Sequence, residues 1–178
     1  EVWLAPLTQI DDQVSRLAIT YSHPAWMVSA YFDLLRDYEE VRSLLEANNT
    51  PAKPTFVTWP GRSEFSEFAE WDATPTAYSP YGFRADVTPS SLEAVRHRRA
   101  GVQDEGSQLV ASIFAQVAAD KSSWLDLCAG PGGKAALLAS IADQGSHRFV
   151  ANEISQVRAD LVKQVVGKNE VWVGDARE

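Results

Sequence analysis

The sequence predicts an α/β chain in two parts: a small mixed α+β segment over 1–86, then a segment over 87–178 built on a parallel sheet. Three observations carry this. The acidic excess lies in the first part, with a net charge of −7 over 1–86 and −1 over 87–178. Pro and aromatic residues crowd positions 51–83, whereas Ala, Val and Leu dominate after Gly101. From Ser123 onward, short apolar runs alternate with stretches of helical spacing in the order β-α-β-α-β, which implies parallel strands joined by crossovers.

In the first part, Pro24 suits the first turn of a helix, where its missing N–H costs nothing. Met27, Tyr31, Leu34, Leu35 and Tyr38 then share one face at helical spacing. Val41, Leu44 and Leu45 mark a second helix that stops in Asn48-Asn49-Thr50-Pro51. Thr55 to Trp59 is β-prone and ends at the turn signal Pro60-Gly61. Ser63 is placed to cap a brief helix carrying Phe65 and Phe68. Ala77 to Phe83 is aromatic and broken by Pro80, so it reads as an edge strand at best.

In the second part, Ser90 followed by Glu93 has the pattern of a capping box. Val110, Ile113, Phe114 and Val117 mark one face of a helix over about 105–119. Ser123 to Cys128 is a strand, a Gly-rich turn follows, and a helix spans about Gly133 to Ala142. Phe149 to Asn152 is a second strand. Ser155 caps a helix with Val157, Leu161 and Val165 inward, and Val171-Trp172-Val173 is a third strand.

Composition excludes several classes. The 178 residues carry six Trp, seven Phe and five Tyr, enough apolar bulk to order the chain. A net charge of −8 rules out a generic basic coat for nucleic acid, though not a local patch. One Cys and three scattered His leave no metal cage, so no metal site is expected. The longest uncharged stretch, Leu17 to Phe32, contains His23, Pro24 and several hydroxyl residues, which argues against a membrane span. An acidic start at Glu1 does not read as a signal peptide, so a cytoplasmic setting is the expectation, and a start without Met reads as a piece of a longer protein.

The chemical focus is the turn Cys128-Ala129-Gly130-Pro131-Gly132-Gly133-Lys134. It leaves the carboxyl end of a strand and opens a helix, where open parallel sheets bind ligands. Glu153, 20 residues after Gly133, stands at the end of the second strand, where a carboxylate accepts hydrogen bonds from both ribose hydroxyls. Asp175 follows the third strand at the same edge, suited to an adenine amino group or a neighbouring amide. The run is not the dinucleotide pattern G-x-G-x-x-G. It also fails as a P-loop, because Ala135 stands where a Ser or Thr would bind magnesium. A nucleoside without a phosphate chain fits better, and S-adenosylmethionine is such a ligand, with a carboxylate for the amides at the helix start.

At these residues Asp126-Leu-Cys-Ala-Gly-Pro-Gly-Gly-Lys134 resembles the cofactor motif of the Sun-type (Fmu/Nop-like) RNA cytosine-5 methyltransferases, the family of bacterial ribosomal RNA 5-methylcytosine enzymes. Gly101-Val-Gln-Asp-Glu-Gly-Ser107 resembles the family's lead-in to its catalytic domain. Ser22-His-Pro-Ala-Trp26 and Ala47-Asn-Asn-Thr-Pro51 resemble landmarks of the domain before it. Val150-Ala-Asn-Glu153 and Gly174-Asp-Ala-Arg177 complete the series. The resemblance implies a small α+β RNA-positioning domain over 1–86, and over 87–178 the first half of a class I (Rossmann-like) methyltransferase fold. It implies S-adenosylmethionine as cofactor and RNA, ribosomal in this family, as partner. Cys128 to Lys134 would wrap the cofactor, Glu153 would hold the ribose and Asp175 would sit by the adenine. The family often has Asp where this chain has Glu153.

The family's reaction adds a thiolate to carbon 6 of cytosine, which makes carbon 5 nucleophilic. The family places that Cys beyond the third strand, and the only thiol here, Cys128, lies in the cofactor loop. No catalytic residue is therefore assigned, and the chain reads as a truncated, inactive piece of the enzyme. A fourth strand pairs beside the first in this fold type. Its absence would leave an apolar edge, which predicts a dimer, aggregation or loss of order in the second half.

Other features keep two readings. Arg96, Arg98 and Arg99, around His97, form the only concentrated basic run and suit either RNA phosphates or a solvated helix face. Gln103, Asp104 and Ser107 either cap the next helix or brace the cofactor loop. Lys134 is either a ligand contact or a solvated helix residue, and Arg158 reads as surface. Trp26 and Trp59 read as packing residues, as do Tyr78, Tyr81 and Phe83, rather than as base-stacking platforms. The competing functional readings are a non-catalytic RNA-binding module with a decayed methyltransferase fold, and another nucleoside-cofactor enzyme such as an NAD-dependent one.

Overall fold

The computed structural model describes residues 10–51 and 53–178. Residues 1–9 of the expected N-terminal domain lie outside the described residues. The chain divides after residue 52 into two compact units.

The first unit is helical: α1 (Gln13–Thr20), α2 (Ala25–Leu35) and α3 (Tyr38–Asn49). Asp12 caps α1 by accepting the Ser15 N–H at 2.7 Å, and Asp37 caps α3 through Glu40 N–H at 2.9 Å. Such caps satisfy amides that have no partner within the helix. Leu17, Ala18, Val28, Val41 and Leu45 form the core. Residues 13–20 were not assigned to a helix above, although Val14, Leu17 and Ala18 stand at helical spacing. Of the expected α2 face, Tyr31 and Leu35 pack on this core and the rest is corrected. Val28 is fully buried, Leu34 is 75% exposed, and Tyr38 belongs to the next helix because Arg36 turns left-handed at φ 57°. Pro24 stands at the cap, one position before the first helical turn.

The second unit starts with an antiparallel sheet of β1 (Thr55–Thr58), β2 (Thr74–Pro75), β3 (Gly82–Arg84) and β4 (Ala100–Val102), in the order β2-β3-β1-β4. The crowded aromatics build its core. Phe83 stacks on Phe68 at a centroid distance of 4.2 Å and on Phe56 at 5.2 Å, with Leu92, Ala94 and Ala100 around them. β3 is therefore internal, not an edge; the Pro-containing edge is β2, whose missing donor faces no partner. A 3-10 helix (Phe65–Trp71) opens on Glu64 and Glu67 in a reciprocal capping box, so Ser63 is not its cap; the Ser63 hydroxyl donates to the Arg99 carbonyl at 2.9 Å. Ser90 is no cap either. It lies within a 3-10 turn (Pro89–Ser91), and α4 (Glu93–Arg96) starts from Leu92. The sheet spans the 86/87 position, since β4 pairs with β1.

After α5 (Glu105–Val117) the expected alternation appears: β5 (Ser123–Asp126), α6 (Gly133–Gly145), β6 (Arg148–Glu153), α7 (Gln156–Lys163) and β7 (Glu170–Val173). The three strands are parallel in the order β5-β6-β7, and the second half is folded rather than disordered. The Ala-rich α6 is buried from Ala135 to Ser140, which small side chains permit at close approach to Phe149, Ala151, Val162 and Val166. Val57, Trp59 and Trp124 join this core, and Arg62 donates to the Val165 carbonyl. The two sheets therefore belong to one unit.

Two helices turn small residues inward, and for α7 this inverts the expectation. α5 buries Gln108, Ala111, Ser112 and Ala115, while Val110, Ile113, Phe114 and Val117 are 40–78% exposed. Val110 and Phe114 line a hollow with Leu125 and Leu127, residues of or next to β5, which pairs on one side only among the described residues. α7 buries Ala159 and Val162, leaving Val157 and Leu161 exposed, while Val165 is half-buried; its Ser155 cap makes no side-chain bond. Small residues take the inward positions where α5 lies close against α6, and α7 against β6 and β7.

Candidate cofactor site

Parallel pairing brings the carboxyl ends of β5, β6 and β7 to one edge, with Asp126 opposite Ala151 and Glu153 opposite Val173. Asn152 ties the three ends together. Its side-chain amide donates to the carbonyls of Leu127 at 3.2 Å and Gly174 at 3.1 Å, and its own carbonyl accepts the Ala129 N–H at 2.9 Å. Leu127 to Gly132 then forms the bend into α6. Gly132 has φ +117°, and a Cβ there would lie 2.8 Å from Val165 Cγ2. A side chain is excluded on both counts.

Glu153 is 3% exposed. Its Oε2 accepts the Gly130 N–H at 2.9 Å and its Oε1 accepts the Ser155 N–H at 3.0 Å, while Arg158 Nε lies 3.9 Å from Oε2. The Ser155 amide bond lowers its pKa most; burial works against this, and the Gly130 amide and the Arg158 charge add to the lowering. A carboxylate has about four lone-pair sites, so two bound amides leave acceptor capacity for a ligand. A Cβ on residue 130 would run into Glu153 Oε2 and lie 2.9 Å from Arg158 Cβ.

Two clefts share Cys128. The first, about 330 Å³, is lined by Cys128, Asn152, Glu153, Ile154, Arg158 and Asp175 among others. The second, about 270 Å³, is lined by Gln103, Ser107, Asp126, the bend from Cys128 to Pro131, Gly133 and Lys134. Burial pushes the Asp126 carboxyl up; the Cys128 amide, which it accepts at 3.2 Å, and the Lys134 charge oppose this.

The structure thus gathers Cys128, Ala129, Gly130, Pro131, Gly132, Gly133, Lys134, Glu153 and Asp175 at one sheet edge. Cys128 is exposed and lines both clefts. Asp175 lines the first cleft with its carboxylate held by Arg177 Nε at 2.9 Å and the Arg177 N–H at 3.0 Å, which lowers its pKa. Arg158, read as a surface residue, reaches the Gly130 carbonyl and Glu153. Its spacing of five residues after Glu153, one helical turn beyond a strand end, is the signal that would have found it. Asp126 and Gln103 were likewise not assigned to the site. Asp104 alone caps α5, accepting the Gly106 N–H at 2.8 Å.

Of the basic run, Arg96 and Arg98 are exposed. Arg99 is held by Glu67 at 2.6 Å and donates to the Arg62 carbonyl at 3.1 Å. Trp59 is buried, as a packing residue should be. Trp26 is 70% exposed and Tyr78 77%, against the packing expected of both. No helix among the described residues is long and apolar enough to cross a membrane.

A parallel β-α-β-α-β array with a Gly-rich bend, an acidic residue after the second strand and another after the third defines part of a class I, Rossmann-like methyltransferase domain. Residues 114–178 match the model of the family described as 16S rRNA methyltransferase RsmB/F. Over 168 residues, 90% of this chain, it is 40% identical to a Mycobacterium tuberculosis protein named "Putative methyltransferase Rv1407". Over 167 residues it is 28% identical to the Bacillus subtilis protein named "Probable ribosomal RNA small subunit methyltransferase B". The chain covers 36% of the length of each of these relatives. Residues 114–178 are thus of the RsmB/F, or Sun-type, methyltransferase kind.

Proposed function

We propose that this chain is the RNA-positioning and cofactor-binding part of an S-adenosylmethionine-dependent RNA cytosine-5 methyltransferase acting on ribosomal RNA. The observation that carries this reading is the pair of adjoining clefts at one sheet edge, with Glu153 in one and Lys134 in the other. The residues suit the cofactor. Glu153 keeps free acceptor sites for the ribose, the bend from Cys128 to Pro131 lines the second cleft together with Gly133, and Asp175 sits beside the first cleft where the adenine would lie. When bound, the cofactor supplies an electrophilic methyl group. What this chain contributes is orientation of that group and its shielding from water.

Residues 1–86 are assigned to RNA positioning and 87–178 to cofactor binding, with Arg96 and Arg98 as phosphate contacts. The only thiol, Cys128, lies in the cofactor loop, so this chain alone is expected to bind cofactor without methylating RNA. A ribosomal RNA substrate puts the protein in the cytoplasm. Self-association through the edge of β5 that no strand covers among the described residues is our expectation; sedimentation across a concentration range, compared with Phe114→Glu, tests it.

Calorimetry on the full-length protein with S-adenosylmethionine and with NAD tests the main reading. Binding of the first and not the second is expected, and the reverse overturns it. One observation favours the non-catalytic alternative: Arg177 already occupies the Asp175 carboxylate. Transfer of labelled methyl groups to cytosine in ribosomal RNA by the full-length protein would dismiss that alternative.

A further inference from the structure

Gln103 is 7% exposed, and neither its side-chain nitrogen nor its side-chain oxygen has a hydrogen-bond partner among the described residues. A buried primary amide without partners is unfavourable and uncommon. The residue is nonetheless held firmly. Its N–H donates to the Thr55 carbonyl at 3.0 Å, and its carbonyl accepts the Gln108 side-chain amide at 2.8 Å. Gln108 is fully buried and fully engaged, donating also to the Phe56 carbonyl at 3.1 Å and accepting the Ser79 hydroxyl at 2.6 Å. The backbone of Gln103 is thus pinned between β1 and α5, while its side chain lines the second cleft with Ser107, Asp126 and Lys134.

An amide offers donors and an acceptor side by side. The ligand group that matches both is a zwitterionic α-amino acid, whose carboxylate accepts from the nitrogen and whose ammonium donates to the oxygen. The rest of the cleft has the same duality: Lys134 is a cation for the carboxylate and Asp126 an acceptor for the ammonium. We infer that Gln103 is a cofactor-binding residue that recognises the amino-acid end of the sulfonium nucleoside. This rests on the cofactor reading above and adds to it a side chain from outside the Gly-rich bend. It also gives the orphaned amide its partners.

The test uses the full-length protein and two ligands that share the nucleoside and the thioether: S-adenosylhomocysteine, which has the amino-acid end, and 5′-methylthioadenosine, which lacks it. Gln103→Leu is expected to weaken S-adenosylhomocysteine about tenfold or more and to leave methylthioadenosine within about twofold. The thermal midpoint without ligand should not fall, since an unpartnered amide gives way to an apolar group of similar size. Gln103→Glu, which keeps the shape and sets a negative charge against the ligand carboxylate, should show the same selectivity. Equal losses for both ligands, or no loss for either, would overturn the inference and leave Gln103 a packing residue. Failure of the unmutated protein to bind either ligand would instead sink the cofactor reading, and this inference with it.

Discussion

Glu153 accepts the main-chain N–H of Gly130 at 2.9 Å, and the space a side chain on residue 130 would need is the space that carboxylate occupies. The end of the second parallel strand and the bend after the first are thereby one unit. The absence of a Cβ at 130 is what allows an acidic side chain to stand at the mouth of the cleft.

Gly130→Ala follows from this. The new methyl group displaces the Glu153 carboxylate and leaves the Gly130 amide unpaired. We expect a loss of about 1–3 kcal/mol in stability, read by denaturant unfolding, together with weaker cofactor binding. Unchanged stability and affinity would show that the bend relaxes without cost.

Glu153→Ala should weaken S-adenosylmethionine roughly ten- to a hundredfold in calorimetry, through loss of charge-assisted hydrogen bonds to the ribose. An unchanged dissociation constant removes Glu153 from the site. The carboxylates of Glu67, Glu105 and Glu153 are all held below the ordinary glutamate range, chiefly by hydrogen bonds: from Arg99 to Glu67, from the Tyr78 and Ser79 amides to Glu105, and from the Ser155 amide to Glu153. The unfolded chain takes up those protons first as the pH falls. Their stabilisation is therefore present above the ordinary glutamate range and lost as the pH drops through the lowered folded values. Chemical denaturation across that acid range should show stability rising with pH.

Asp126 has the opposite sign. Burial raises its pKa, so the ionised form costs stability once the pH rises through the folded value. Asp126→Asn is expected to raise the thermal midpoint of the ligand-free protein at neutral pH. The gain should shrink toward acid, where the native side chain is already protonated. A gain that does not depend on pH would point to packing instead.

Reversing the charge of Arg96 and Arg98 should weaken RNA binding and lower the slope of log affinity against log salt by about 2. Arg99 is already paired with Glu67 on a half-exposed surface, so Arg99→Ala should move the salt slope less and cost under about 1 kcal/mol of stability. Filter binding at several salt concentrations separates the two. If all three substitutions move the slope equally, the Glu67 pair opens on RNA.

Much of the second unit was legible because its signals are local. Alternation of apolar runs with helical spacing placed β5, α6, β6, α7 and β7 to within a few residues, and glycine spacing marked the bend. Helix orientation was not legible in the same way. The large apolar residues of α5 share one face, yet Gln108, Ala111, Ser112 and Ala115 are the buried ones. Periodicity identifies a stripe, but closeness of approach decides which stripe a sheet accepts. The aromatic stretch ending at Phe83 gave the same lesson, since three stacked Phe rings made an internal strand of what reads as an edge.

The sequence by itself determined the order of elements in the second unit, the Gly-rich bend, and the positions of Glu153 and Asp175 one crossover apart, because each depends on residues near one another along the chain. Only the tertiary structure decided that Gln103 is held buried between Thr55 and Gln108 without partners for its side chain among the described residues. It alone set Arg158 and the Gly130 amide on Glu153, and engaged Asp175 with Arg177. Those outcomes depend on where distant backbone donors and acceptors finally sit, and periodicity and composition carry no record of that.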